Sequence, residues 1–228
     1  MINYGVVKAE IELLGLINMR DDYYAALTLD YTLSKLGNVK RLSNLVSELD
    51  SNSCIVLMPG RGLERIDRIP LDFYDLVVVC DSAVDYLYSR YGVLRRLRDL
   101  TVLMVTDLDS EPSALAGFCR EVRPIVIVHA HGDNIEKLWH ISSLEYSKIC
   151  GTCQVEGQFR YVEYCQGFTD GDRALVIASH VSRHVDVLGL DIEGSLSYKG
   201  INSVKRVKLD ILRYYIDSLR CELGLLVY

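Results

Sequence analysis

Three short apolar runs, each ending at aspartates, restrict this chain to few folds. They are Leu76-Val-Val-Val-Cys-Asp81, Val102-Leu-Met-Val-Thr-Asp107-Leu-Asp109 and Ile125-Val-Ile-Val-His-Ala-His-Gly-Asp133. Short runs rich in β-branched residues and lacking polar alternation belong to strands buried on both faces, as in a parallel sheet. Ligands of an open parallel sheet bind beyond the carboxyl ends of its strands, where these aspartates collect. An acidic pocket of that kind needs a cation, and Mg²⁺ carrying substrate phosphates is its usual occupant. The pattern points to a metal-dependent transferase of phosphoryl-type groups.

The rest of the chain fits that frame. Further short apolar runs span residues 54–58, 161–165 and 185–190, and residues 83–91, 113–122 and 135–146 read as crossover helices. Alternating β and α elements predict an α/β fold with a mostly parallel, Rossmann-like sheet flanked by helices. Before it, Ala25, Ala26, Leu29, Leu33 and Leu36, then Leu42, Leu45, Val46 and Leu49, recur at helical spacing. The Gly37-Asn38 pair separates them into two helices. Residues 1–50 are therefore expected as an N-terminal helical cap and 51–228 as the α/β catalytic domain. A last helix is expected over 205–222, with Val207, Ile211, Tyr214, Tyr215 and Leu219 on one face.

Composition excludes several classes. A net charge of −6 is unlike the basic footprint of a nucleic-acid groove. No apolar run approaches the roughly 18 residues that span a bilayer. Lys8, Glu10 and Glu12 interrupt any signal-peptide core, so a cytoplasmic location is expected. Seven cysteines in apolar segments suit a reducing compartment, and Cys150-Gly-Thr-Cys153, without a second pair, reads as buried thiols rather than a zinc site. The Tyr-rich N-terminal helices offer a contact for a homodimer.

Four constellations carry chemistry. In Asp107-Leu-Asp109, residues two apart share a face of an extended chain, so both carboxylates reach one ion. In His129-Ala-His131-Gly-Asp133-Asn134, Asp133 lies past the strand, where Gly132 permits a tight turn. Asp107, Asp109 and Asp133 are thus the expected metal ligands, with Asp81 beside them. Gly167-Phe-Thr169-Asp170-Gly171-Asp172-Arg173 opens a helix, whose free N–H groups suit a phosphate, with Arg173 adding a planar fork. Thr169 and Asp172 also have the spacing of a capping box. Met58-Pro59-Gly60-Arg61-Gly62 follows the first strand; Gly60 lets a ligand approach closely, with Arg61 beside it, although a plain turn would also use these residues.

These motifs, in this order, resemble the archaeal-type 6-hydroxymethyl-7,8-dihydropterin pyrophosphokinases, relatives of thiamine pyrophosphokinase. The resemblance runs through Arg20-Asp21-Asp22, Pro59-Gly60, Cys80-Asp81-Ser82-Ala83, Val105-Thr-Asp-Leu-Asp109, His129-Ala-His-Gly-Asp-Asn134, Gly151-Thr152-x-Gln154 and Gly167-Phe-Thr-Asp-Gly-Asp-Arg-Ala174. It departs at Ser82, at Cys153 and in Pro59-Gly-Arg-Gly62. The resemblance implies transfer of a diphosphoryl group from ATP to the hydroxymethyl group of a reduced pterin, with Mg²⁺ as cofactor. It implies catalytic roles for Asp81, Asp107, Asp109 and Asp133, with the 167–173 loop on the nucleotide and His131 and Asn134 on phosphate or pterin. Thiamine is the alternative acceptor within this class. From other classes, the His-x-His-x-Asp string of dinuclear-metal hydrolases and a non-catalytic nucleotide-binding protein stay open.

Overall fold

The structure, a computed structural model, describes residues 18–190, 203–223 and 226–227. Eight parallel strands form one sheet in the order β6-β5-β4-β3-β2-β1-β7-β8. They are β1 (Ser51–Leu57), β2 (Leu76–Cys80), β3 (Thr101–Thr106), β4 (Ile125–Ala130), β5 (Lys148–Cys153), β6 (Val162–Tyr164), β7 (Ser182–Leu188) and β8 (Leu226–Val227). Successive strand residues point to opposite faces, and both faces are covered. Ile55, Leu57, Val77, Val79, Met104, Val126 and Val128 enter one core layer; Cys54, Val56, Val78, Leu103, Val105 and Ile127 enter the other. This is why the runs are continuously apolar.

Helices α1 (Met19–Leu33), α3 (Ala83–Tyr88), α4 (Tyr91–Arg98) and α5 (Pro112–Val122) cover the first face. On the second lie α2 (Leu42–Glu48), α6 (Asp170–Val181) and α7 (Ser203–Leu223). From β1 to β6 the chain steps outward strand by strand. Helix α6 then carries it back across the sheet to β7, on the other side of β1. That return brings the amino end of α6 over the carboxyl ends of the central strands.

Of the segment expected as a cap, residues 1–17 lie outside the described residues. Helix α1 begins at Asn18, whose side chain accepts from the Asp21 N–H, and buries Ala25, Ala26, Leu29 and Leu33. Asn38 adopts the left-handed conformation (φ 57°) in the break between α1 and α2. Residues 135–146 do not form the expected crossover helix. Instead Gly132–Asn134 and Lys137–Ser143 make 3₁₀ turns. Leu138 and Ile141, the apolar anchors there, are three residues apart and fit the three-residue repeat of that geometry. Strand β5 was not expected, because Cys-Gly-Thr-Cys reads as a thiol motif. Its alternation sends Cys150 to one core layer and Cys153 to the other, so the two thiols do not face a common ligand. Among the described residues, no helix is long and apolar enough to cross a membrane.

Helix α1 packs closely on β5 because Gly151 has no side chain. A Cβ there would meet Leu33 Cδ1 at 2.6 Å and Val162 Cγ2 at 2.8 Å. Gly151→Ala is expected to destabilise the fold by about 1–3 kcal/mol through overpacking, measured by urea denaturation. Equal or greater stability would contradict this packing.

Candidate active site

Strands β2, β3 and β4 end side by side, and each is followed by a polar residue that holds its neighbour. Asp81 follows β2 and is fully buried. Its carboxylate accepts from Thr106 Oγ1 at 2.8 Å and from the N–H groups of Asp109 and Ser110 at 2.6 and 3.1 Å. Asn134, also buried, donates to the carbonyls of Asp107 and His129, tying the ends of β3 and β4 together. His131 caps its own turn, accepting from the Asp133 N–H, and sets Nε2 3.4 Å from Asp107 Oδ2.

The turn after β3 decides which acids meet. Leu108 adopts φ 67°, a left-handed conformation that costs a non-glycine residue about 1–2 kcal/mol. The chain therefore does not stay extended from Asp107 to Asp109. Asp107 turns inward, whereas Asp109 donates its N–H to Asp81 and its exposed carboxylate accepts from Lys137. Asp133 is exposed on its 3₁₀ turn. The third inward carboxylate is Asp170, delivered from residue 63 positions downstream of Asp107 by the amino end of α6. Ligand oxygens of Asp81, Asp107 and Asp170 all lie within 4.8 Å of one another, and among the described residues this is the one such group of three His, Cys, Asp or Glu side chains.

The loop before α6 is built to hold Asp170 still. Thr169 and Asp172 form a reciprocal capping box, and the buried Asp172 carboxylate also accepts from the Phe168 N–H. Gly167 sits at φ 112°, where a Cβ would strike Arg173 Cα at 2.7 Å. Arg173 itself is buried, donating to Asp170 Oδ1 at 3.1 Å and to the Gly167 carbonyl at 3.2 Å. Its guanidinium therefore positions Asp170, and its Nε is buried without a partner. Gly171 borders a cavity at the start of α6. Gly60 and Arg61 begin the 3₁₀ turn after β1; Arg61 is exposed.

Electrostatics follow from this crowding. Burial, then the Asp107 charge, pushes the Asp81 carboxyl up to about 7. Burial opposes ionisation of Asp107 too, but hydrogen bonds from His131 and Asp81 outweigh it and hold Asp107 well below the usual carboxylate range. Asp170 is raised well above that range by burial and the Asp107 charge, against the pull of Arg173. Asp107 Oδ1 is buried without a hydrogen-bond partner. A carboxylate oxygen orphaned among two other acids fits a cation, which would satisfy it and relieve the repulsion.

His129 does not join this cluster. Burial keeps its imidazole neutral, well below the ordinary histidine range, and Nδ1 lies 3.1 Å from Thr152 Oγ1. Asp22, which the sequence offers only within the Arg20-Asp21-Asp22 match and without a role, is fixed in the structure. The residue is 3% exposed, and its carboxylate accepts from the Gly132 N–H at 2.7 Å and from Gln154 Nε2 at 2.8 Å. Asp22 thus fixes the His131–Asn134 turn against α1. The signal was present: Asp22 precedes Ala25 and Ala26 by three and four residues, an acid in register with the buried stripe.

The chain is similar to two archaeal proteins, each named 6-hydroxymethyl-7,8-dihydropterin pyrophosphokinase. Identity to that of Pyrococcus furiosus is 38% over 124 residues, 54% of this chain and 49% of that protein. Identity to that of Methanocaldococcus jannaschii is 39% over 92 residues, 38% of this chain and 37% of that protein. The chain thus spans about half or less of the length of the curated relatives it matches. No protein-family model matches. A mammalian sialyltransferase crystal structure aligns over 89% of this chain and 84% of its own at 12% identity, and its TM-score of 0.44 is too low to bear on fold or activity.

Asp22→Ala would leave the buried Gly132 N–H and the Gln154 amide without their acceptor. Its expected cost is about 1–3 kcal/mol of stability, read by denaturant unfolding. Wild-type stability in this variant would show that α1 does not hold the turn.

Proposed function

We propose that this chain transfers a diphosphoryl group from ATP to the hydroxymethyl group of 6-hydroxymethyl-7,8-dihydropterin, in a Mg²⁺-dependent reaction. The observation that carries the transferase reading is the convergence of Asp81, Asp107 and Asp170, with an unpartnered buried oxygen on Asp107. The pterin acceptor is supported by the names of the two archaeal relatives.

In this reading Asp81, Asp107 and Asp170 would hold the cation. When bound, Mg²⁺ would supply the neutralisation of phosphate charge that phosphoryl-type transfer mainly requires. The acceptor hydroxyl oxygen forms a bond to the β-phosphorus, and the bond from that phosphorus to the oxygen bridging to the α-phosphorus breaks. AMP leaves with the bridging oxygen, and the hydroxyl proton passes to solvent. His131 orients Asp107, Arg173 orients Asp170, and the Thr106 and Ser110 contacts fix Asp81. Asp109 and Asp133, at the rim, are left to meet substrate from outside, with Lys137 beside Asp109.

The hydrolase reading loses its ligand set. His129 is buried against Thr152, His131 faces Asp107 and Asp133 is exposed, so the His-x-His-x-Asp side chains do not converge. Thiamine stays as the acceptor to be tested against pterin. Incubating the protein with ATP, Mg²⁺ and the hydroxymethyl pterin, with thiamine in parallel, should yield AMP and a diphosphorylated pterin. ADP, free phosphate or an unchanged nucleotide would overturn the proposal. Asp107→Ala is expected to abolish turnover while keeping a cooperative unfolding transition; near-normal activity would contradict the site assignment.

A further inference from the structure

Helix α1 buries one side and leaves an aromatic side uncovered. Asp22, Ala25, Ala26, Leu29, Thr32 and Leu33 face the core. Met19, Tyr23, Tyr24, Leu27 and Tyr31 stay exposed, Tyr24 by 51% and Tyr31 by 57%. The face continues onto the 3₁₀ turn Lys137–Ser143, where Trp139, 50% exposed, meets Tyr31 edge-on with ring centres 6.1 Å apart. Cations flank it: Arg20 lies 5.9 Å from the centre of the Tyr24 ring, and Lys35 lies 4.9 Å from that of Tyr31. An aromatic side chain covers roughly 150–250 Å², so these four half-exposed rings with Met19 and Leu27 present on the order of 500 Å² of apolar surface. The largest apolar patch of a typical monomer is about 300–600 Å² and is often functional.

The order of residues on this face is self-complementary. At about 100° per residue the face centres on Leu27, with Arg20 and Ser34 about 20° to either side and Tyr23 and Tyr31 about 40° to either side. We infer that it pairs with the same face of a second copy of this chain, the two α1 helices running antiparallel about a two-fold axis at Leu27. Such a contact is isologous, so every residue must suit its symmetry mate. Residues equally far before and after Leu27 come level. Tyr23 of one copy then meets Tyr31 of the other, and Arg20 passes the uncharged Ser34. Lys35 reaches the first helical turn of the other copy, where Asp21 is exposed. Each amino end also lies beside a carboxyl end, so the helix dipoles attract. Homodimer interfaces are about 65% apolar, so the patch corresponds to about 800 Å² per copy, the standard size of a stable specific interface. The pairing needs neither metal nor nucleotide, and it covers the back of the helix whose buried side carries Asp22.

Sedimentation of the full chain at about 50 μM, above the weakest dissociation constants of interfaces this size, is expected to show a dimer. Leu27→Glu sets two carboxylates against each other at the axis. It is expected to weaken the dimer about thirtyfold or more, with helix content unchanged because the position is exposed. Leu27→Cys gives a second readout. Helices packed about 10 Å apart bring facing Cα atoms to about 5 Å, within disulfide range, so this variant is expected to cross-link to itself on mild oxidation. The cysteines among the described residues are buried, and Phe73→Cys, exposed on the turn before β2, is expected not to cross-link. A dimer that survives Leu27→Glu, or a folded Leu27→Cys that cross-links no faster than Phe73→Cys, would overturn the pairing. A monomeric wild-type chain would overturn it too, and leave the face to residues 1–17 or to another protein.

Discussion

Three carboxylates held within 4.8 Å of one another are the constraint around which the rest of the structure is arranged. Two full charges that close repel by about 3–4 kcal/mol at an effective dielectric near ~20, and burial adds a desolvation cost. The fold answers each acid separately. Thr106, Ser110 and a backbone N–H from the β3–α5 turn compensate Asp81, His131 compensates Asp107, and Arg173 compensates Asp170. One oxygen of Asp107 stays unanswered. A site that keeps such a deficit trades stability for the ability to bind charge, as functional sites commonly do.

The architecture makes that gathering reachable from a linear chain. Parallel strands β2 and β3 deliver Asp81 and Asp107 at neighbouring carboxyl ends, and α6, crossing the opposite face, brings Asp170 over them. A left-handed Leu108 turns one acid inward and the next outward. Asp22 reaches from α1 on the first face to hold the turn that carries His131. The site thus depends on elements from both layers, and the same bonds that close the core fix the distances between the acids.

Much of this was legible in the residues. The strands at 54–58, 76–80, 102–106 and 125–129 announced themselves because a strand buried on both faces has no polar alternation to hide in. The Thr169–Asp172 cap was equally plain, since its chemistry is local. What failed to show was non-local or depended on a single dihedral angle. Asp109 was expected to share a face with Asp107 because an extended chain was assumed, and the backbone at Leu108 reverses that. Asp170 was read as part of a phosphate loop, and its approach to Asp107 depends on where α6 crosses the sheet. Arg173 looked like a phosphate fork from its spacing; only burial shows that it faces Asp170. Strand β5 was hidden by Gly151 and Thr152, residues that look like a loop until the packing of α1 on Gly151 is seen.

The central claim is that Asp81, Asp107 and Asp170 make one divalent-cation site while Asp109 and Asp133 stand outside it. Mn²⁺ titration followed by electron paramagnetic resonance tests this directly, because bound and free Mn²⁺ give distinct signals without any turnover. The account predicts that Asp107→Asn and Asp170→Asn each weaken Mn²⁺ binding by at least about tenfold. Asp109→Asn and Asp133→Asn are predicted to leave it nearly unchanged. Loss of binding on changing Asp109 or Asp133, with Asp170→Asn binding as tightly as wild type, would contradict it.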